Sequence, residues 1–139
     1  MNDDVVEINV DASKCDNVIG IGYVINGSLS VKNNKFIVGE YTSMEAELHA
    51  LLEALRVASI NFSSDDECVV YTDCQPLRDK IYGNESNSSE WKEYQTSAHW
   101  LLNKFDSWEV RWVSRSDNGE AHRLAREALF EGREVDLNR

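Results

Sequence analysis

Val5–Ser13 reads VVEINVDAS, and the rest of the chain is read outward from it. Val6, Ile8 and Val10 alternate with Glu7, Asn9 and Asp11, the period of a strand with one buried face. The strand ends in a carboxylate, Asp11, followed by two small residues. Two later segments are built to meet it. MEAELHALLEAL, from Met44, carries Glu47 in the first turns of a helix. CVVYTDCQ, from Cys68, is a buried-strand pattern running into Asp73. Three carboxylates on three separate elements is the arrangement of a divalent-metal site, and their oxygens suit Mg²⁺ or Mn²⁺.

At 139 residues the chain is expected to form one domain over 1–139, with a core from about 5 to 130 and a polar, frayed tail at 131–139. It is 42% hydrophobic, with no apolar run long enough to span a bilayer. The opening MNDDVVE lacks the basic and apolar regions of a signal peptide. Three cysteines, Cys15, Cys68 and Cys74, form no disulfide framework, which points to a reducing compartment. A cytoplasmic monomer with no membrane association is expected.

The net charge of −11 is unevenly spread. Between Arg111 and Arg126 four arginines face Asp117 and Glu120, a local charge of +2, which leaves −13 for the rest. Acidity on this scale opposes a polyanionic partner, because binding one relies on Lys and Arg at the phosphates. One basic end on an acidic body is compatible with nucleic acid. A halophilic source is one account of the acid surface, since salt screens its repulsion. A soluble acidic protein is the other.

Val18–Ile25 reads as a second strand with Gly20 and Gly22 on one face, where glycine permits close approach of another backbone. Asn26-Gly27 signals a type I′ hairpin, with Asn33-Asn34 as a rival turn. Phe36–Tyr41 is read as a third strand. Thr42 with Glu45 fits a capping box, opening a helix that ends near Ser59. Cys68–Thr72 is a short apolar strand suited to a covered, parallel position. Leu77–Tyr82 reads as a short helix, Gly83–Ser89 as a flexible polar loop and Glu90–Phe105 as a long helix. Trp108–Val113 is a strand and Asn118–Phe130 the last helix. Trp91, Trp100 and Trp108 are assigned to the core, and His49 and His99 to structural roles. The order βββ, α, β, α, α, β, α gives an α/β fold with a mixed sheet and helices on its faces. If the strands ending at Asp11 and Asp73 are parallel neighbours, the two carboxylates lie side by side, which requires a cation or a proton.

These motifs together resemble the type 1 ribonuclease H family. The matching pieces are VDAS at Val10–Ser13, TSMEAELHAL at Thr42–Leu51, YTDCQPL at Tyr71–Leu77 and RWVSRSDNGEAHRLA at Arg111–Ala125. The resemblance runs from about Val5 to Phe130, and it is similar to the short, archaeal-like members without a basic protrusion. It implies a ribonuclease H-like fold, a five-stranded mixed sheet in the order 3-2-1-4-5 flanked by helices. It implies hydrolysis of the RNA strand of an RNA–DNA hybrid with two divalent ions, leaving a 3′-hydroxyl and a 5′-phosphate. Asp11, Glu47 and Asp73 would hold the metal. Ser13, Ser43 and Gln75 would touch the hybrid backbone or its 2′-hydroxyls, and Arg111 and Arg115 would lie by the phosphate track.

The sequence departs from the family where an Asn-x-x-Ala-Asp pattern normally supplies a fourth carboxylate. Asn118 and Ala121 keep their places, and His122 stands where the Asp belongs. As a ligand or proton shuttle His122 would favour Mn²⁺ over Mg²⁺, because imidazole suits transition metals. Asp117 is a fallback carboxylate, and Glu120, two positions away, would face elsewhere. Ser43 and Met44 stand where the family has an Asn before the glutamate. Cys74 is not expected to be a nucleophile. A domain of the same fold that binds nucleic acid without turning it over is the alternative reading.

Overall fold

The computed structural model describes residues 4–83 and 89–138. Most of the expected Gly83–Ser89 loop lies outside the described residues. Five strands form one sheet: β1 (Val5–Cys15), β2 (Val18–Asn26), β3 (Ser30–Val38), β4 (Glu67–Thr72) and β5 (Ser107–Trp112). Their order is β3-β2-β1-β4-β5, as expected, with β1 antiparallel to β2 and parallel to β4. The helices are α1 (Ser43–Asn61), α2 (Gln75–Tyr82), α3 (Ser89–Leu102) and α4 (Gly119–Leu137), the last preceded by a 3₁₀ turn at Arg115–Asn118. α1 and α4 both pack on β1 and β2, while α3 packs on α1 and α2. All of Val18–Ile25 is consequently buried, being covered on both faces.

The strand boundaries correct the sequence reading in ways that bear on the site. β1 does not stop at Asp11 but continues in the hairpin to Cys15, because β2 offers an unbroken partner as far as Val18. The turn shrinks to Asp16-Asn17, where Asp16 adopts φ 52°, a conformation Asp tolerates. The parallel pairing with β4 ends at Val10 opposite Thr72, so Asp11 and Asp73 are the next residue on each strand. Asn33 and Asn34 are not a turn; they sit within β3 opposite Tyr23 and Gly22. Asn34 Nδ2 instead donates to the Leu124 carbonyl of α4 at 2.8 Å. The connection is Gly27–Leu29, between the paired Asn26 and Ser30, and no glycine in it has positive φ, which excludes the type I′ turn. β3 is accordingly Ser30–Val38 rather than Phe36–Tyr41.

α1 opens with the expected box: Thr42 Oγ1 accepts from the Glu45 N–H at 3.1 Å, and Glu45 Oε1 accepts from the Thr42 N–H at 2.8 Å. Leu48, Leu51, Leu55 and Ala58 form its buried stripe. The expected frayed tail is instead the last two turns of α4, which runs to Leu137. Gly132 is buried there, and a Cβ on it would meet Val18 and Phe36, so the helix has a reason to stay on the sheet. Trp100 is a second correction. It is 64% exposed, with Lys104 Nζ 3.9 Å from its ring centroid, while Ala98 and Leu102 take the buried places on α3. Trp91 and Trp108 do pack, half-buried, against the core. At the outer edge of the sheet the Val110 N–H of β5 donates to the Tyr82 hydroxyl at 2.7 Å, and the Tyr82 ring stacks on Trp108.

The two glycines of β2 decide how α4 docks. A Cβ on Gly22 would lie 2.6 Å from both the Ala121 carbonyl oxygen and the Ala125 nitrogen. One on Gly20 would overlap the Ala125 carbonyl and the backbone of Leu129. α4 therefore rests with its backbone directly on the sheet. Gly20→Ala is expected to lower stability by about 1–3 kcal/mol, because the overlap is with backbone that cannot rotate away. Gly119→Ala, where nothing lies within 4 Å of the new methyl and φ and ψ are helical, is expected to be neutral or to stabilise by about 0.5–1 kcal/mol. Urea unfolding midpoints of the two variants check this pair.

Candidate metal centre

Asp11 pairs with Gly22 across the hairpin and shares its face of the sheet, the one under α4. Asp73 follows the last residue of β4, on the neighbouring parallel strand. Glu47 is the fifth residue of α1, whose start is fixed by the Thr42 cap. One ligand oxygen from each of the three lies within 4.8 Å of the others. Asp11 is 1% exposed, and Glu47 Oε1 and Asp73 Oδ2 are buried without a hydrogen-bond partner.

Such a cluster is unfavourable as three anions. Burial, and then the charges of Asp11 and Asp73, push the Glu47 carboxyl up to about 9, against some relief from the Ala12 N–H. Burial raises Asp11 as well, opposed chiefly by its hydrogen bond with His122, while the charge of Asp73 adds to the rise. Orphan oxygens and displaced carboxyls both mark a place that needs a proton or a cation. An all-oxygen donor set with two buried oxygens that accept no hydrogen bond fits a hard divalent ion such as Mg²⁺ or Mn²⁺.

Around the cluster the remaining sequence candidates sort themselves. His122, in the first turn of α4, places Nδ1 2.7 Å from Asp11 Oδ2, yet it is not among the ligand atoms grouped within 4.8 Å. Arg115 brings Nε to 3.5 Å from Asp73 Oδ2, with its side chain 71% exposed. Ser13 follows Asp11 by two along β1 and is half-buried. Ser43 and Gln75 are exposed at the first residues of α1 and α2. Arg111 stands apart on β5, bonded to Glu109 Oε2 at 2.9 Å. Asp117 accepts from Ser114 in the 3₁₀ turn, and Glu120 faces Lys32 and Arg123, away from the cluster. His99 bonds the Ile81 carbonyl oxygen and His49 lies edge-on to Tyr41 and Tyr94, both in packing positions. Burial pushes the Cys74 thiol up to about 11, which leaves it protonated and a poor nucleophile.

Two supports were not read from the sequence as such. Asn118 is 1% exposed; its Nδ2 donates to the Val10 carbonyl oxygen at 2.8 Å and its Oδ1 accepts from Asn9 Nδ2 at 2.9 Å. It pins the start of α4 to β1 just before Asp11. Trp112 Nε1 donates to the Asp73 carbonyl oxygen at 3.2 Å and steadies the residue after β4. The Asn at the head of the last helix was visible as part of a motif, but a Trp aimed at a neighbouring main chain has no local sequence signal.

Comparison with known proteins completes the picture. Residues 9–128 match the model of the family described as Reverse transcriptase-like. The chain belongs to this family. Its structure matches RNase H1 of the halophilic archaeon Halobacterium salinarum with a TM-score of 0.81 and 26% identity, over 91% of this chain and 98% of that one. It also matches the N-terminal ribonuclease H domain of rv2228c from Mycobacterium tuberculosis, TM-score 0.80 and 22% identity, over 95% of this chain and 98% of that one. LC11-RNase H1, solved in complex with an RNA/DNA hybrid, shares the fold at TM-score 0.70 and 20% identity, over 93% of this chain and 98% of that one. The fold is therefore that of RNase H1. Among the described residues no helix is long and apolar enough to cross a membrane.

The raised Glu47 carboxyl fixes the sign of a pH effect. Without metal, the folded chain keeps this proton to about pH 9, whereas the unfolded chain releases it near 4.5. The folded state binds more protons between those values, so stability falls as pH rises through that window. In a chelator, the melting temperature is expected to drop from pH 5 to pH 9 and Glu47→Gln to flatten that drop. Mn²⁺ is expected to raise the melting temperature most at the alkaline end, since it binds only the folded state. Melting curves with and without Mn²⁺ across that range check all three.

Proposed function

We propose that this chain is an endoribonuclease that hydrolyses the RNA strand of RNA–DNA hybrids, using Mg²⁺ or Mn²⁺ held by Asp11, Glu47 and Asp73. One observation carries the reading: three carboxylates from β1, α1 and the end of β4 converge within 4.8 Å, with the buried Glu47 Oε1 and Asp73 Oδ2 lacking a hydrogen bond, on an RNase H1 fold. A pair of bound cations would supply an activated water and neutralise the charge developing on the scissile phosphate and the departing 3′ oxygen. The chain's own residues do the rest. The carboxylates fix where the reacting phosphate docks, at the carboxyl ends of β1's parallel segment and β4, where open α/β sheets place their chemistry. The exposed guanidinium of Arg115, already at the rim of the cluster, meets a phosphate oxygen. Arg111, carried on β5 and bonded to Glu109, would reach the phosphate backbone only away from the cluster. Ser13, Ser43 and Gln75 offer hydroxyl and amide groups to the sugar–phosphate backbone, and contacts to the 2′-hydroxyl distinguish RNA from DNA. His122 joins the catalytic group through Asp11. Water adds to phosphorus, the P–O3′ bond breaks, and the products are a 3′-hydroxyl and a 5′-phosphate.

A second reading, a nucleic-acid-binding domain of this fold without turnover, is favoured by the imidazole of His122 where the family has a carboxylate. Cleavage separates the two. End-labelled RNA–DNA hybrid, duplex RNA and single strands are incubated with the wild type and Asp11→Asn in Mn²⁺ or Mg²⁺. The expected result is cleavage of the hybrid's RNA strand alone, reduced to background in Asp11→Asn. Hybrid binding without cleavage in either metal favours the second reading; absence of both binding and cleavage overturns the two together.

A further inference from the structure

We propose that the outer side of α1 carries a second site, a groove that binds a small aromatic acid, separate from the metal centre. Residues of β3, α1 and α3 line a groove of about 500 Å³, a volume in the range of small-molecule sites. Its apolar lining includes Ile37, Leu52 and Leu101, each only partly buried and packed on the core from outside. Trp100 lines it too and is 64% exposed, although Lys104 Nζ lies 3.9 Å from its ring centroid. An indole left this open beside three aliphatic side chains offers a flat apolar surface to another ring.

Charge at the rim selects the sign of the ligand. Lys35 Nζ lies 3.3 Å from Glu53 Oε1, and Arg56 Nη2 lies 2.9 Å from Glu53 Oε2. The side chains of Lys35 and Arg56 are 49% and 56% exposed against 16% for Glu53, so the anion sits beneath the two cations. These three side chains sum to one positive charge at the groove, on a chain whose net charge is −11. A guanidinium engaged along one edge still offers N–H groups to a second carboxylate, and the Lys35 ammonium has protons to spare. Size selects a small ligand. The lining residues of α1 run from His49 to Arg56, about two turns or roughly 10 Å. That is room for a bicyclic ring and one acidic group, whereas a stable protein partner covers about 800 Å² on each side. The groove is also turned away from the metal centre. Glu47 and Arg56 are nine positions apart, about two and a half turns, so they face opposite sides of α1. In the complex the ring lies against Trp100, Leu52 and Ile37, and the acid meets Arg56 and Lys35.

The probe is 2-naphthoate, with 2-naphthamide as its uncharged control. Each is titrated into nitrogen-15-labelled protein in the presence of a chelator, and the backbone amide resonances are followed. The acid is expected to move the amides of β3, α1 and α3 along the groove and to bind with a dissociation constant of about 1 mM or tighter. The amide is expected to bind at the same place about two- to tenfold more weakly. Arg56→Gln is expected to weaken the acid about two- to fivefold and Glu53→Gln to strengthen it by a similar factor, with the amide indifferent to both. Lys35→Gln, on a different element, repeats the Arg56→Gln test should that variant unfold. Trp100→Ala is expected to weaken both probes about threefold or more, its ring being exposed and outside the core. Asp11→Asn is expected to bind the acid as the wild type does, so loss of the metal-centre reading leaves this site standing. Equal affinity for acid and amide, shifts spread over the molecule, or no shift at millimolar probe overturns the proposal. So does loss of binding in Asp11→Asn. Movement of the same amides on dilution of the probe-free protein would make the groove a contact between copies and overturn it as well.

Discussion

Three acids held within 4.8 Å of one another, with one of them almost wholly buried, are the constraint the surrounding structure has to satisfy. Left to themselves in water, flexible carboxylates at this spacing would separate. Here each is fixed by an element that cannot retreat. β1 is paired with β4 as far as Val10 and with β2 through Asp11 to Cys15, so the strand that carries Asp11 is fixed in place. Glu47 is carried by a helix whose first turn is closed by a reciprocal side-chain cap and whose apolar stripe is buried on the sheet. Asp73 leaves β4 under a hydrogen bond from Trp112 to its carbonyl oxygen. The fold's stability opposes the electrostatic cost, and that cost is what a bound ion would relieve.

Docking of α4 is the other half of the arrangement, and it depends on what β2 lacks. Two missing side chains, at positions 20 and 22, let a helix backbone lie on a strand backbone. That closeness puts the first turn of α4 beside Asp11 and lets Asn118 bridge to β1. A larger residue in β2 would raise the helix and carry His122 away from the carboxylate. The small residues of the hairpin and the polar residues at the helix start therefore work as one unit, although about a hundred positions separate them in the chain.

Much of this was legible in the sequence because local pattern and tertiary role agree. Alternation in Val5–Val10, the Thr42–Glu45 box and the apolar run ending at Asp73 each point to one conformation, and the order of elements yields a mixed sheet with helices on its faces, while the strand order followed from the resemblance to ribonuclease H. The glycines were legible as a sign of close approach, though not of what approaches. Errors came where two local signals competed or where distant contacts decide. Asn33-Asn34 has turn chemistry but lies in a strand, because β2 offers it a ladder and the Leu124 carbonyl offers a bond. The polar segment after Phe130 carries no marked stripe, yet it stays helical because Gly132 fits against Val18 and Phe36. Trp100 has the composition of a core residue on a helix whose buried places are taken by Ala98 and Leu102. At the site, the residue types and elements were readable. The atom by which His122 joins Asp11, and the support from Trp112, depend on geometry that no spacing encodes.

The bond from Val110 to Tyr82 has a bearing on how molecules of this chain behave together. β5 is a border of the sheet, and a border strand with open amides is a template on which a stranger's strand can pair and aggregation can begin. The phenol occupies the central amide of that border and is itself braced by Trp108. An incoming strand would have to displace a stacked aromatic pair to gain a ladder bond at Val110. Crowded solutions of this protein are thus guarded at that point by a hydroxyl, beside the charged Glu109 and Arg111 of the same strand.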